Sequence, residues 1–225
     1  MNTLPAINNR ELLLRLPVES KFDSPAACAA RGDREIHPFF VTGLPRSRTA
    51  WLANFLTWGN TFCYHDIFLR CQRPDEVLQL FAAAPGVAVG NSDPANLFFQ
   101  DRLMQLFPSA KWVIVNRSPE DASRSARAAG MPPRTVELHV PKLAELRRKV
   151  DALLVPFEKL DQLAMAVGRY INPAFDSPAE RNQMLSGFNV QIEKHLLRKA
   201  QDLPIPPVIQ YAEFARGGKQ TLNSK

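Results

Sequence analysis

Only three cysteines occur in the 225 residues, Cys28, Cys63 and Cys71. Their number is odd and no C-x-x-C spacing is present, which excludes a disulfide framework and a cysteine-ligated metal site and reads as reduced thiols in a cytoplasmic protein. No apolar run approaches the roughly 20 residues that cross a bilayer. Met1 to Pro17 makes a poor secretory signal, because Arg10, Glu11 and Arg15 interrupt its apolar part. Internal repeats and low-complexity stretches are absent, and no Lys/Arg block has the density of a nucleic-acid tail. The formal charge of +6 therefore suits an anionic small ligand better than nucleic acid or a membrane surface.

What is present is an ordinary globular composition, 45% hydrophobic and 22% charged, with length enough for one sizeable core. Residues 1–35 carry Pro5, Pro17 and Pro25 with weak periodicity and read as an N-terminal extension. From Phe39 strands and helices alternate. Phe39 to Thr42 reads as a buried strand, and a helix from about Arg48 to Trp58 follows, with Trp51, Leu52, Phe55 and Leu56 on one face and Gly59-Asn60 as its stop. Short strands are expected at Thr61 to Tyr64 and Val87 to Val89, then a helix from about Pro94 to Phe107. Lys111 to Val115 is the clearest strand. Ser118-Pro119-Glu120-Asp121 opens a helix with a cap residue, a proline at the first helical position and acids in the first turn.

From about Val136 to Arg169 the pattern reads as helical, with Leu143, Leu146, Val150, Leu153 and Leu154 on one side, Arg147-Arg148-Lys149 on a solvated face, and Pro156 as a break. Ser177 starts a further helix to about Gln201, and Val208 to Tyr211 is a last strand. Strands joined through helices require crossovers, so the expected fold is an α/β three-layer sandwich with a mainly parallel central sheet over residues 36–216. Residues 217–225 form a tail. In such a sheet ligands lie at the carboxyl ends of the strands, where Gly43-Leu44-Pro45 and Asn116-Arg117 both fall.

The stretch Gly43-Leu44-Pro45-Arg46-Ser47-Arg48-Thr49-Ala50-Trp51 is the most informative in the chain. An apolar strand ends in a Gly-Pro turn, and a basic, hydroxyl-rich loop opens a helix. Backbone N–H groups, a helix dipole and two guanidinium groups then converge, which is what a phosphate needs. The loop departs from G-x-x-x-x-G-K-[ST]: it keeps Gly43 and Thr49 but has Arg48 before the Thr and lacks the second Gly. It is closer to G-x-P-[RK]-S-G-T-[TS]-W, in which Gly43, Pro45, Arg46, Ser47, Thr49 and Trp51 fall in register and Arg48 replaces the Gly. Val113 to Asp121, running on to Ser125, fits a second pattern, V-x-V-x-R-[DN]-P-x-D-x-x-x-S. Phe107-Pro108-Ser109-Ala110-Lys111 fits F-P-x-A-K before it.

On these motifs the chain resembles the sulfotransferases that use 3′-phosphoadenosine 5′-phosphosulfate, and so a P-loop-like fold. The resemblance spans about residues 39–216 and includes a weaker echo, Tyr211-Ala212-Glu213-Phe214, of the family's Y-E-D-L. It implies that Arg117 and Ser125 hold the donor's 3′-phosphate. It also implies that Ser47, Thr49 and the backbone from Arg48 to Ala50 cradle the 5′-phosphate. Arg46 would bridge that phosphate and the departing oxygen with paired N–H donors. The terminal sulfate carries less charge than a γ-phosphate, so no metal is expected. The base that takes the acceptor's proton follows the second strand in related enzymes, which points to Asp66 or, beside it, His65. The acceptor is expected to be a small molecule or glycan bearing a hydroxyl or amine. The competing readings are a phosphate-loop kinase, against which the missing Gly-Lys pair counts, and a degenerate nucleotide-binding protein without turnover. His37, His139 and His195 read as structural or exposed, Ser92-Asp93-Pro94 as a helix cap, and Trp58 as core.

Overall fold

The computed structural model describes residues 35–179, save 66, 70, 72–74, 85 and 133. The expected N-terminal extension up to residue 34, the helix to Gln201 beyond Ala179, the strand at Val208 to Tyr211 with its Tyr211 to Phe214 echo, and the tail lie outside the described residues. Strand β1, His37–Gly43, is the apolar run expected from the sequence, and all but its first residue are buried. Helix α1, Thr49–Leu56, follows, then β2 at Thr61–Tyr64 and α2 at Glu76–Ala83. Strand β3, Ala88–Ser92, leads through a 3-10 turn at Pro94–Leu97 to α3, Gln100–Leu106. After β4 at Lys111–Asn116 come α4, Pro119–Ala128, and α5, Arg134–Lys149. Strand β5, Ala152–Pro156, a 3-10 turn at Phe157–Lys159 and α6, Leu160–Ile171, complete the described chain.

The strands hydrogen-bond in the order β2-β3-β1-β4-β5, and every pairing is parallel. Alternation along β1 and β4 sends side chains to opposite faces, as the period of two in a strand requires. Phe40, Trp112 and Ile114 pack with Phe81, Leu103, Ala122 and Leu146 from α2 to α5. Phe39, Val41, Val113 and Val115 pack on the other face with Trp51, Phe55, Leu160 and Val167 from α1 and α6. The expected three-layer α/β sandwich with a parallel central sheet is the fold of the described residues. Each fully buried large apolar side chain contributes about 1.5–3 kcal/mol.

Three local expectations need correction. The stretch around Leu153 and Leu154 is strand β5, not helix: α5 ends at Lys149, and Trp112 pairs with Ala152 and Val115 with Val155. Pro156 ends that strand and does not interrupt a helix. The helix expected from Pro94 to Phe107 is two pieces, because Asp93 Oδ1 accepts from Ala95 N at 2.7 Å and caps a separate 3-10 turn before α3 begins. Trp58 is 39% exposed and not core, with its indole N–H donating to the Asp176 carbonyl at 2.9 Å.

Candidate functional site

The carboxyl ends of β1 and β4 lie side by side at the point where the chain, having built β2 and β3 on one side of β1, crosses to its other side. A crevice outside the strand ends is the physical consequence of that reversal. Gly43 permits the close approach: a Cβ there would sit 2.7 Å from the Val115 carbonyl oxygen and 3.2 Å from the Ser47 Cβ. The next four residues form a turn closed by Ser47 N donating to Leu44 O at 3.1 Å. Buried Pro45 takes its second position, and Arg46, at φ 72°, takes the third in the left-handed region that a type II turn requires.

Helix α1 then begins at Thr49, with Arg48 as N-cap at φ 59° and no side chain capping it. The first intrahelical bond is Leu52 N to Arg48 O, so the N–H groups of Thr49 and Ala50 precede it and point out of the helix start. Thr49 and Ala50 are buried, and the Thr49 carbonyl accepts from Ser92 Oγ at 2.8 Å, which ties the end of β3 to the helix start. Trp51 is buried and stacks on Phe55 at 5.3 Å.

Arg46 and the β4 side meet across the crevice. Arg46 Nε donates to Ser125 Oγ on α4 at 3.3 Å, and Arg117 Nη1 donates to the Arg46 carbonyl. The Arg117 guanidinium lies 4.1 Å over the Phe157 ring, a cation–π arrangement that leaves its edge for hydrogen bonding. Burial lowers the pKa of both Arg46 and Arg117, and for Arg117 the positive charges of Arg46 and Arg124 lower it further against the carboxylates of Asp121 and Glu158. Two half-desolvated cations have thus been placed together. Ser47 Oγ and Arg117 Nε are both buried and have no hydrogen-bond partner among the described residues. Buried polar atoms in this state cost about 1–3 kcal/mol each and are what an incoming oxyanion would satisfy.

Arg48 does something different. Its Nη1 meets Asp161 on the first turn of α6 at 2.8 Å and 2.9 Å, one distance to each carboxylate oxygen, and its guanidinium lies 4.3 Å from the Trp51 ring centroid. The side chain at the position where the motif has Gly is thus engaged with Asp161 and Trp51.

Of the two base candidates, Asp66 lies outside the described residues. His65 is half-buried, and its Nδ1 lies 2.6 Å from the Ser92 carbonyl, so that nitrogen carries the proton and Nε2 is the basic one in the neutral ring. Ser92 in turn reaches the Thr49 carbonyl, which links His65 to the loop. Gly43, Pro45, Arg46, Ser47, Arg48, Thr49, Ala50, Trp51, Arg117 and Ser125 thus belong to one neighbourhood. Phe157, Glu158 and Asp161 were not anticipated. The available signal was Phe157-Glu158-Lys159-Leu160, which follows β5 directly and matches the aromatic-acid-x-Leu order sought later in the chain at Tyr211.

The described residues form an α/β fold with an all-parallel five-stranded sheet, and Arg46, Ser47 and Arg117 meet at the carboxyl ends of β1 and β4. No family model matches the chain, and no curated relative does. Among solved structures it is similar to a sulfotransferase from Alicyclobacillus acidocaldarius, at 15% identity and a TM-score of 0.47, covering 81% of this chain and 96% of that one. So distant a likeness carries no chemistry across. Among the described residues no group of three His, Cys, Asp or Glu side chains is arranged to hold a metal, and no helix is long and apolar enough to cross a membrane.

Proposed function

We propose that the chain is a sulfotransferase-like enzyme that binds 3′-phosphoadenosine 5′-phosphosulfate and modifies a hydroxyl or amine acceptor, a small molecule or glycan. The observation that carries this reading is a pair of buried donors without a hydrogen-bond partner among the described residues, Ser47 Oγ in the loop whose sequence follows the phosphosulfate motif and Arg117 Nε facing it from the end of β4. When bound, the donor supplies a sulfuryl group on a phosphate leaving group. In this reading Ser47 and the N–H groups of Thr49 and Ala50 hold the 5′-phosphate, and Arg117 with Ser125 holds the 3′-phosphate. Arg46 neutralises charge that gathers on the leaving side, a task of positioning and electrostatics with no covalent role for the protein. His65 takes the acceptor's proton at Nε2, with Asp66 as the alternative base.

The test is ligand-dependent melting, since a ligand that binds only the folded chain raises the transition. Adenosine 3′,5′-bisphosphate in the presence of EDTA should raise the melting temperature, and Arg46→Ala and Arg117→Ala should each remove most of that rise. Stabilisation by ATP with Mg²⁺ and none by the bisphosphate would point to a kinase instead. With labelled donor and an acceptor panel, loss of transfer in His65→Ala with retention in Asp66→Asn assigns the base to His65.

A further inference from the structure

Arg48 stands where the phosphosulfate motif has Gly, and it adopts the conformation that made Gly suitable. At φ 59° its backbone is in the left-handed region, which is unfavourable for an L-residue with a Cβ. The cradle depends on that conformation, because the N-cap dihedral sets the direction of the Thr49 and Ala50 N–H groups. Left to itself, an arginine here would relax and re-aim them. Two contacts oppose this. Asp161 accepts from Arg48 Nη1 at 2.8 Å and 2.9 Å, and Trp51, one turn into the same helix, offers its ring face at 4.3 Å. Trp51 is fixed by burial against Phe55, and Asp161 is fixed on the first turn of α6. Their common packing of α1 and α6 on one face of the sheet holds both ends of the contact in register.

We infer that Asp161 is a positioning residue for the phosphate loop: by anchoring the Arg48 side chain it holds the Arg48 backbone in the left-handed conformation that a glycine would supply. The same contact keeps the Arg48 guanidinium engaged at the base of α6. This inference rests on the proposal that the loop binds phosphate. It differs from it in assigning a role to a side chain that touches no ligand.

The experiment is a double-mutant cycle read by calorimetric titration of the intact chain with adenosine 3′,5′-bisphosphate. Asp161→Asn should weaken the affinity about tenfold, the fold-change that matches the cost of the conformation it maintains. In an Arg48→Gly background, where the backbone needs no anchor, Asp161→Asn should cost nothing further. Arg48→Gly should also bind more tightly than Arg48→Ala, which has neither the anchor nor the freedom. Asp161 is half-exposed, so a melting temperature close to that of the parent is expected, and a change in affinity at constant stability is a result that mere scaffolding does not produce. An equal effect of Asp161→Asn in both backgrounds, or none in either, overturns the inference while leaving the phosphate reading intact. Absence of bisphosphate binding by the parent chain overturns that reading and removes this inference with it.

Discussion

His139 is fully buried on α5, with Nδ1 donating to the Thr135 carbonyl at 2.6 Å, its ring edge-on to Phe98 at 4.6 Å, and Nε2 without a partner among the described residues. Burial lowers its pKa to about 4, against a smaller upward pull from the Thr135 hydrogen bond. A histidine whose folded pKa lies below its unfolded value stays neutral in the native state while the unfolded chain takes up the proton. Stability is then whole above pH 6.5 and falls as the pH drops toward 4, by about 3 kcal/mol across the window. Glu145 titrates lower: hydrogen bonds from Lys149 and Lys142 hold it at about 2, so the stability it brings is lost below the ordinary carboxylate range. His139→Phe should therefore flatten the urea-unfolding midpoint between pH 7 and 4.5. A slope unchanged in that variant would mean that another group titrates in the window.

At the scale of elements, the packing of β1 against β3 turns on a side chain that is missing. A Cβ on Gly90 would lie 2.4 Å from the Phe39 ring and from the Phe39 carbonyl oxygen. The ring cannot move away freely, since Phe39 is buried among Val113, Val115 and Leu160. Gly90→Ala should thus destabilise the protein by about 1–3 kcal/mol through overpacking, seen as a lower urea midpoint with an unchanged slope. A midpoint equal to that of the parent would show that β1 and β3 separate easily, and would weaken the account of how the crevice is framed.

The elements that frame the crevice were legible because their signals are local. Phe39 to Thr42 and Trp112 to Val115 are apolar runs bounded by turn residues, and Ser118-Pro119 is a complete helix start whose serine does accept from Asp121 N at 3.1 Å. Strand β5 was not legible. Leu153 and Leu154 continue the helical spacing of Leu143, Leu146 and Val150, and a short apolar run has no period of its own that separates strand from helix. Its pairing with β4 is a tertiary fact. The candidate site was half legible: residue types singled out Arg46, Ser47 and Arg117, which the fold brings together, but nothing in an Arg-Ser-Arg string announces two left-handed arginines. The partner that anchors one of them, Asp161, lies more than a hundred residues downstream.

The whole molecule adds a field to these contacts. Its formal charge is +6, and the crevice gathers Arg46 and Arg117 with Arg124 near enough to lower the Arg117 pKa. An anion approaching through solvent feels this summed charge at long range, where salt screens it: the Debye length shrinks from about 10 Å at 0.1 M to about 3 Å at 1 M. In the proposed binding mode the seated anion would be held against half-buried guanidinium groups and the Ser47 hydroxyl by short contacts that salt reaches far less. Salt should then act on arrival and not on departure. For adenosine 3′,5′-bisphosphate, stopped-flow traces followed by tryptophan emission should show the association rate falling about tenfold between 0.05 and 0.5 M NaCl, with the dissociation rate changing less than twofold. Arg124→Gln should lower the association rate at low salt and make it less salt-sensitive, because it removes charge from the approach and leaves the cradle whole. A dissociation rate that climbs with salt while association stays level would place the ligand on the open surface, outside the crevice between β1 and β4.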